Sequence, residues 1–190
     1  MATPRSQRIG IWIITVVLAV GTFGSFLVMA LSVQNQSIDQ QDQYQQYLDQ
    51  QKEAAKLNAA NSDVLAGYSV TPFTDSSITQ LKVDVLEEGS GDVVKATDSI
   101  NASYFGWLSD GTIFDSSKKK NAEDTPITFS LAGVISGWTE GLTGIKVGST
   151  VRLSIPSDKA YGVTGSGIIP ANAPLMFIVK INKIDNSTKA

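Results

Sequence analysis

From Ile9 to Val33 the chain carries no charge, and these 25 positions are overwhelmingly apolar: IGIWIITVVLAVGTFGSFLVMALSV. As a helix the run rises about 37 Å, enough to cross a hydrocarbon core of about 30 Å with some tilt. Arg5 and Arg8 precede it, whereas the first charges after it are Asp39 and Asp42. The positive-inside rule therefore expects a cytoplasmic N-terminus over 1–8 and a single-pass transmembrane helix over 9–33 in the cell membrane, with everything beyond it extracytoplasmic. A cleaved secretory signal is the competing reading, with Val28-Met29-Ala30 as a small-x-small site. Against it, the apolar run is longer than the 7–15 residues of a signal's core.

The texture changes abruptly after Val33. Residues 34–66 are rich in Gln, Asp, Asn and Ala, and 34–63 carry a charge of −3, five acids against Lys52 and Lys56. Ser37-Ile38-Asp39-Gln40 reads as a capping box with an acid in the first turn. Tyr44, Tyr47, Leu48, Gln51 and Ala55 then recur at helical spacing, which predicts a helix over about 38–60, ended by Asn61-Ser62-Asp63. No Leu/Ile heptads persist, so the segment is expected as a helical stalk or linker, a solvated spacer more than a coiled coil or a partner-binding helix.

Residues 67–186 read as one domain of about 120 residues, with a short tail over 187–190. Runs with strand character (78–86, 99–108, 127–131, 150–155 and 175–184) alternate with Gly, Pro, Asn and Asp, and Asp110-Gly111 signals a type I′ hairpin. One short stretch, Val134–Leu142, has helical apolar spacing. Many antiparallel strands with one helix give an α+β class. The chain has no Cys and no His, which removes disulfides, thiolate metal sites, cysteine nucleophiles and any Ser-His-Asp triad. Its net charge of −3 offers no footprint for nucleic acid. The Glu140–Thr150 stretch is glycine-rich but lacks the Gly-Lys-Ser/Thr order of a phosphate loop, and acids bracket Lys118-Lys119-Lys120, which reads as a solvated loop. No cofactor and no metal is expected.

Aromatic and branched residues gather at the strand ends, within Tyr104–Ser117, Val134–Gly141, Arg152–Pro156, Ala160–Gly162 and Gly167–Phe177. In this order and spacing over about 78–185 they resemble the FKBP-type peptidyl-prolyl cis-trans isomerases. The resemblance implies a twisted antiparallel sheet wrapped around one short helix, with an apolar pocket between them. It also implies the pocket's parts. Trp138 is the floor, Val134 and Ile135 the adjoining wall, and Tyr104, Phe114 and Phe177 the aromatic sides. Tyr161 is a hydroxyl donor to a substrate carbonyl, Asp115 the lining acid, Ile168 and Ile169 an overhanging loop, and the Ile135 N–H a donor to the bound chain. Ile127 stands where the family often has an aromatic.

Such a pocket needs no nucleophile. The barrier to X–Pro rotation, about 18–20 kcal/mol, is lost amide resonance, and no bond breaks. Water favours the polar planar amide, so a dry cavity favours the twisted form by comparison. The expected function is isomerisation of X–Pro bonds in exported proteins. The expected partners are proline-containing client segments, with macrolide FKBP ligands as further candidates. A non-catalytic chaperone using the same pocket, and a surface adhesion or scaffold protein working through its stalk, are the alternatives. The anchor reading has a direct check. N-terminal sequencing of the mature protein is expected to find the chain's own start, and a new terminus at Leu31 would overturn it.

Overall fold

The computed structural model describes residues 41–185 of the 190. The expected membrane helix, the capping box and the tail lie outside the described residues. Among those described, no helix is long and apolar enough to cross a membrane. The chain divides into two compact units, 1–50 and 51–190. In the first, residues 41–50 are helical, with Tyr44 and Tyr47 60% and 56% exposed. The second begins with α1 over residues 51–61 and holds every other element.

Tyr44 and Tyr47, the largest side chains at helical spacing in the expected spacer, are exposed. The covered face of α1 is made of small and amide residues, with Ala55, Asn58 and Ala59 half-buried, leading to buried Ser62 just beyond the helix. Leu57 is 72% exposed. Small side chains bring the helix backbone close to its neighbour, and hydrogen bonds supply the contact that hydrophobic burial does not. Residues 51–66, read as spacer, thus belong to the same compact unit as the strands.

The strands are β1 (Lys82–Glu87), β2 (Ser99–Trp107), β3 (Ile113–Ser116), β4 (Ile127–Ser130), β5 (Thr150–Ile155) and β6 (Leu175–Ile184). They form one antiparallel sheet in the order β1-β5-β6-β2-β3, with β4 also paired to β2. β3 and β4 thus share one edge of β2: β4 runs along Ser99–Ala102 and β3 along Phe105–Trp107. Tyr104 lies in the gap, where Ser117 holds both its backbone groups. The Ser117 N–H donates to the Tyr104 carbonyl (2.9 Å), and the Tyr104 N–H donates to Ser117 Oγ (2.9 Å).

Three expectations shift. The first strand starts at Lys82, because Asp75–Ser77 form a 3-10 turn ahead of it. The Leu108–Thr112 hairpin is not type I′, since Asp110 keeps a negative φ and only Gly111 (φ +88°) is left-handed. The Gly111 N–H donates to the Leu108 carbonyl and the Leu108 N–H to that of Thr112, a three-residue loop closed by a glycine bulge. The helix, α2, occupies Ser136–Leu142, with Val134 and Ile135 leading into it as extended chain.

Alternation along the strands separates two apolar layers. Ile100, Ala102, Leu153, Phe177 and Val179 face α2, while Phe105, Trp107, Met176 and Ile178 face the other way. The second face is not left to water. Leu65 and the half-buried Val64, Tyr68, Val70 and Phe73 lie across it, and the Trp107 indole N–H donates to the Thr71 carbonyl (3.0 Å). Burial on both faces explains why Leu175–Val179 are buried without a break.

α2 is two turns long, too short to persist on its own, so packing on β5 must hold it. A Cβ on Gly137 would stand 2.4 Å from Ile155 Cγ2 and 3.1 Å from the Lys159 carbonyl oxygen. Gly137→Ala is therefore expected to destabilise the domain by about 1–3 kcal/mol in urea unfolding, although alanine is the better helix former by about 1 kcal/mol. An unchanged or raised midpoint would show that the helix stands clear of β5.

Candidate active site

Between α2 and the concave face of the sheet lies a cavity of about 380 Å³. Each wall comes from a different element. β2 brings Tyr104, β3 Phe114 and Asp115, β4 Phe129, and β6 Phe177. The chain leaving β4 makes a 3-10 turn at Leu131–Gly133, where the Ala132 N–H donates to Ser130 Oγ. The Thr139 hydroxyl donates back to the Leu131 carbonyl (2.6 Å), fastening the turn to α2. This places Val134 and Ile135 on the wall and Trp138 beneath it.

Trp138 is 5% exposed and meets three rings. Tyr104 lies edge-on at 5.2 Å and 86°, Phe177 at 5.1 Å and 82°, and Phe129 is tilted at 4.9 Å. Phe114 abuts Phe177 edge-on at 5.4 Å. Edge-to-face contact sets the positive ring edge against the negative face, worth about 0.5–1.5 kcal/mol per pair beyond burial. Gly106 makes the cluster possible, since a Cβ there would come within 2.5 Å of Phe177 and 2.6 Å of Phe114. The indole N–H of Trp138 is buried with no hydrogen-bond acceptor among the described residues. With that nitrogen covered, Trp138 presents ring carbon to the cavity.

Polar groups stand at the rim. The Tyr104 hydroxyl donates to Asp115 Oδ2 (2.6 Å). The other carboxylate oxygen, Oδ1, accepts from the Ser116 N–H (2.9 Å) and from Asn58 Nδ2 (2.8 Å), with Lys119 Nζ at 3.7 Å. Burial, followed by the hydrogen bond and charge of Asp115, pushes the Tyr104 phenol well above its ordinary range. Burial, then the charge of Asp115, raises Tyr161. Both phenols stay neutral O–H donors near pH 7. The hydroxyl of Tyr161, a residue 39% exposed, makes no hydrogen bond among the described residues, and neither does the Ile135 N–H. Two donors are thus free to meet a carbonyl, while Asp115 is already engaged. Among the described residues, Asp and Glu do not gather in threes as for a metal ion.

Of the ten residues expected at the site, Tyr104, Phe114, Asp115, Val134, Ile135, Trp138, Tyr161 and Phe177 line the cavity. Ile168 and Ile169 do not. Ile169 is buried in the core at 8%, and Ile168 lines a separate groove beside α1. The loop carrying them turns through Gly165 and Gly167, both at positive φ, where the Ser166 and Ile169 backbones pair. Three lining residues, Ile127, Phe129 and Gly133, stand outside the expected ten. Phe129 supplies the ring that Ile127 lacks two residues earlier, on the same side of β4, a signal present in the strand alternation. Asn58, which reaches Asp115 from α1 without lining the cavity, is announced by nothing local in the sequence. The lysine run also differs from the solvated loop expected. Lys118 pairs with Asp63 (3.0 Å), and Lys119 Nζ donates to Asn58 Oδ1 and the Ser116 carbonyl, both at 2.7 Å.

The raised phenols give a pH test. Groups with a raised folded pKa contribute stability that is complete below their unfolded value, near pH 10, and is lost as pH rises above it. The urea midpoint is expected to fall above pH 10 in the parent chain and to fall less in Tyr104→Phe. An identical fall in both would show that Tyr104 ionises freely.

Comparison with known proteins places this geometry. A family model described as FKBP-type peptidyl-prolyl cis-trans isomerase matches residues 91–182. The chain is 36% identical over 140 residues to the FKBP-type peptidyl-prolyl cis-trans isomerase FkpA of Escherichia coli K12, covering 74% of this chain and 51% of that protein. It is 41% identical over 105 residues to an FK506-binding protein of Neisseria meningitidis serogroup A, covering 55% of this chain and 95% of that one. It spans about half the length of the FkpA relatives. Among solved structures, a peptidyl-prolyl cis-trans isomerase from Pseudomonas syringae pv. tomato is 31% identical, covers 72% of this chain and 95% of its own, and superposes with a TM-score of 0.50. Escherichia coli FkpA is 32% identical over 77% and 65%, with a TM-score of 0.52.

Proposed function

The chain belongs to the FKBP-type peptidyl-prolyl cis-trans isomerase family, and on that premise we propose that its aromatic cavity catalyses rotation about X–Pro bonds in exported client proteins. The observation that carries the reading is the pairing of a floor of ring carbon with two unengaged donors at the rim. A prolyl ring seated on Trp138 leaves water, and the twisted amide, less polar than the planar one, loses less by that transfer. The Tyr161 hydroxyl and the Ile135 N–H would hold flanking carbonyls, so the chain on one side of the bond stays fixed while the other turns. No proton moves. Asp115 acts on Tyr104 and not on the amide.

The uncharged run over 9–33, with Arg5 and Arg8 before it, supports a membrane anchor and a domain held outside the cytoplasm. The relatives named FK506-binding proteins support a macrolide as a second kind of ligand for the same cavity.

The test is a peptide isomerisation assay on the full chain in detergent, with several residues preceding proline. Acceleration is expected for all of them. Trp138→Ala is expected to lower kcat/KM at least tenfold and to cost about 3–5 kcal/mol of stability. Trp138→Leu, which keeps apolar volume, is expected to lose less of both. Tyr161→Phe is expected to stay within about tenfold of the parent, because desolvation and not this hydroxyl lowers the barrier. A folded chain that accelerates no peptide yet suppresses aggregation of proline-free clients would overturn catalysis in favour of simple binding.

A further inference from the structure

The cavity's one carboxylate is held from outside the sheet. Asn58 lies on the covered face of α1, 57 residues before Asp115, and its amide bridges two charges. Nδ2 donates to Asp115 Oδ1 (2.8 Å), and Oδ1 accepts from Lys119 Nζ (2.7 Å). The charges fix the amide's orientation, because a flipped amide would set its oxygen against the carboxylate and its N–H groups against the ammonium. Asp115 Oδ2 is thereby turned to the Tyr104 hydroxyl, and the Tyr104 ring stands edge-on to Trp138. A continuous chain of contacts runs from α1 to the cavity floor.

The helix end is fastened independently. The Asp63 N–H donates to the Lys118 carbonyl and the Lys120 N–H to that of Asn61, while the Ser116 hydroxyl donates to the Asp63 carbonyl (2.7 Å). The docking of α1 thus does not rest on Asn58 alone, and its amide reaches on to the cavity's carboxylate.

We infer that Asn58 is a positioning residue: it sets the Asp115 carboxylate, and through it the Tyr104 ring, in the orientation that shapes the cavity for its ligand. The inference rests on the isomerase reading for its kinetic consequence and not for its geometric one. Asn58→Leu keeps the volume and removes both hydrogen bonds. Asn58→Asp keeps the lysine contact but faces Asp115 with a second carboxylate. The titratable groups facing this pair are Lys119, Tyr104 and Tyr161. Two carboxylates at hydrogen-bond distance cannot both stay ionised cheaply, so one takes up a proton at higher pH than usual, and its O–H then replaces the missing donor.

In the full chain, Asn58→Leu is expected to raise KM for peptide about 5-fold with kcat within about 2-fold, equally at pH 8 and pH 5. Asn58→Asp is expected to show the same defect at pH 8 and to recover most of it by pH 5, a reversal that loss of fold does not produce. In a Tyr104→Phe background, Asn58→Leu is expected to add less than 2-fold. The 13C resonance of the Tyr104 phenol carbon, assigned through Tyr104→Phe in tyrosine-labelled chain, reports the geometry without turnover and is expected to shift in Asn58→Leu. A parent-like KM with an unmoved phenol resonance would overturn the inference. So would a kinetic defect in both variants that follows melting temperature and ignores pH. If the parent chain itself proves inactive, only the isomerase reading falls, and the phenol resonance still decides the role of Asn58.

Discussion

Edge-on contact between aromatic rings is the constraint around which this domain is organised. Trp138 sits on a helix of two turns that has no stability of its own; Tyr104 and Phe177 meet it edge-on and Phe129 at a tilt. The contact dictates residues that never touch a ligand. Gly106 leaves the space that Phe114 and Phe177 fill, and Gly137 lets α2 approach β5 closely enough to bring the indole down to the sheet. Among the described residues the indole N–H has no acceptor, and leaving such a group unpaired costs about 1–3 kcal/mol. That cost is the counterpart of a floor presenting ring carbon to its occupant.

A second layer, of charge, surrounds the first without entering it. Asp115 has both oxygens occupied and Lys119 nearby, so the acid that lines the cavity serves to orient a phenol. The sheet topology makes room for this. Because β3 and β4 pair with different stretches of β2, the strand is open at Tyr104, and the chain between them turns back there to meet α1. Ser117 closes the opened backbone, while Lys118 and Lys119 tie down the helix end. Chemistry that turns a bond without breaking one asks for shape and dryness, and both layers supply shape.

The sequence is a good guide wherever a residue's neighbours lie close along the chain. Strand periodicity located β5 and β6 to the residue, and the eight cavity residues followed from the family resemblance that short, ordered motifs carry. It is a poor guide where partners are remote. The tyrosines of the stalk attract notice by hydrophobicity, yet Asn58 and Ala55 make the contact, because a closely docked helix needs small residues and hydrogen bonds more than grease. Ile168 and Ile169 sit away from the cavity because the Gly165 and Gly167 turns set the loop's course, and the register of such a turn is not written in side-chain pattern. Asp110-Gly111 illustrates the same limit at short range. The dipeptide suits two hairpin types, and only the hydrogen bonds at Leu108 distinguish them.

The position of β6 has a consequence for how the molecule comes into being. The last strand among the described residues lies in the middle of the sheet, with β5 on one side and β2 on the other. Until residues 175–184 have been synthesised, the earlier strands form two separate ribbons with nothing to join them, each exposing an unpaired edge to any neighbour. Pairings that span so much sequence close slowly, since the loop entropy must be overcome before the contacts repay it. The sheet of this domain is therefore completed only once residues 175–184 have entered between the two ribbons.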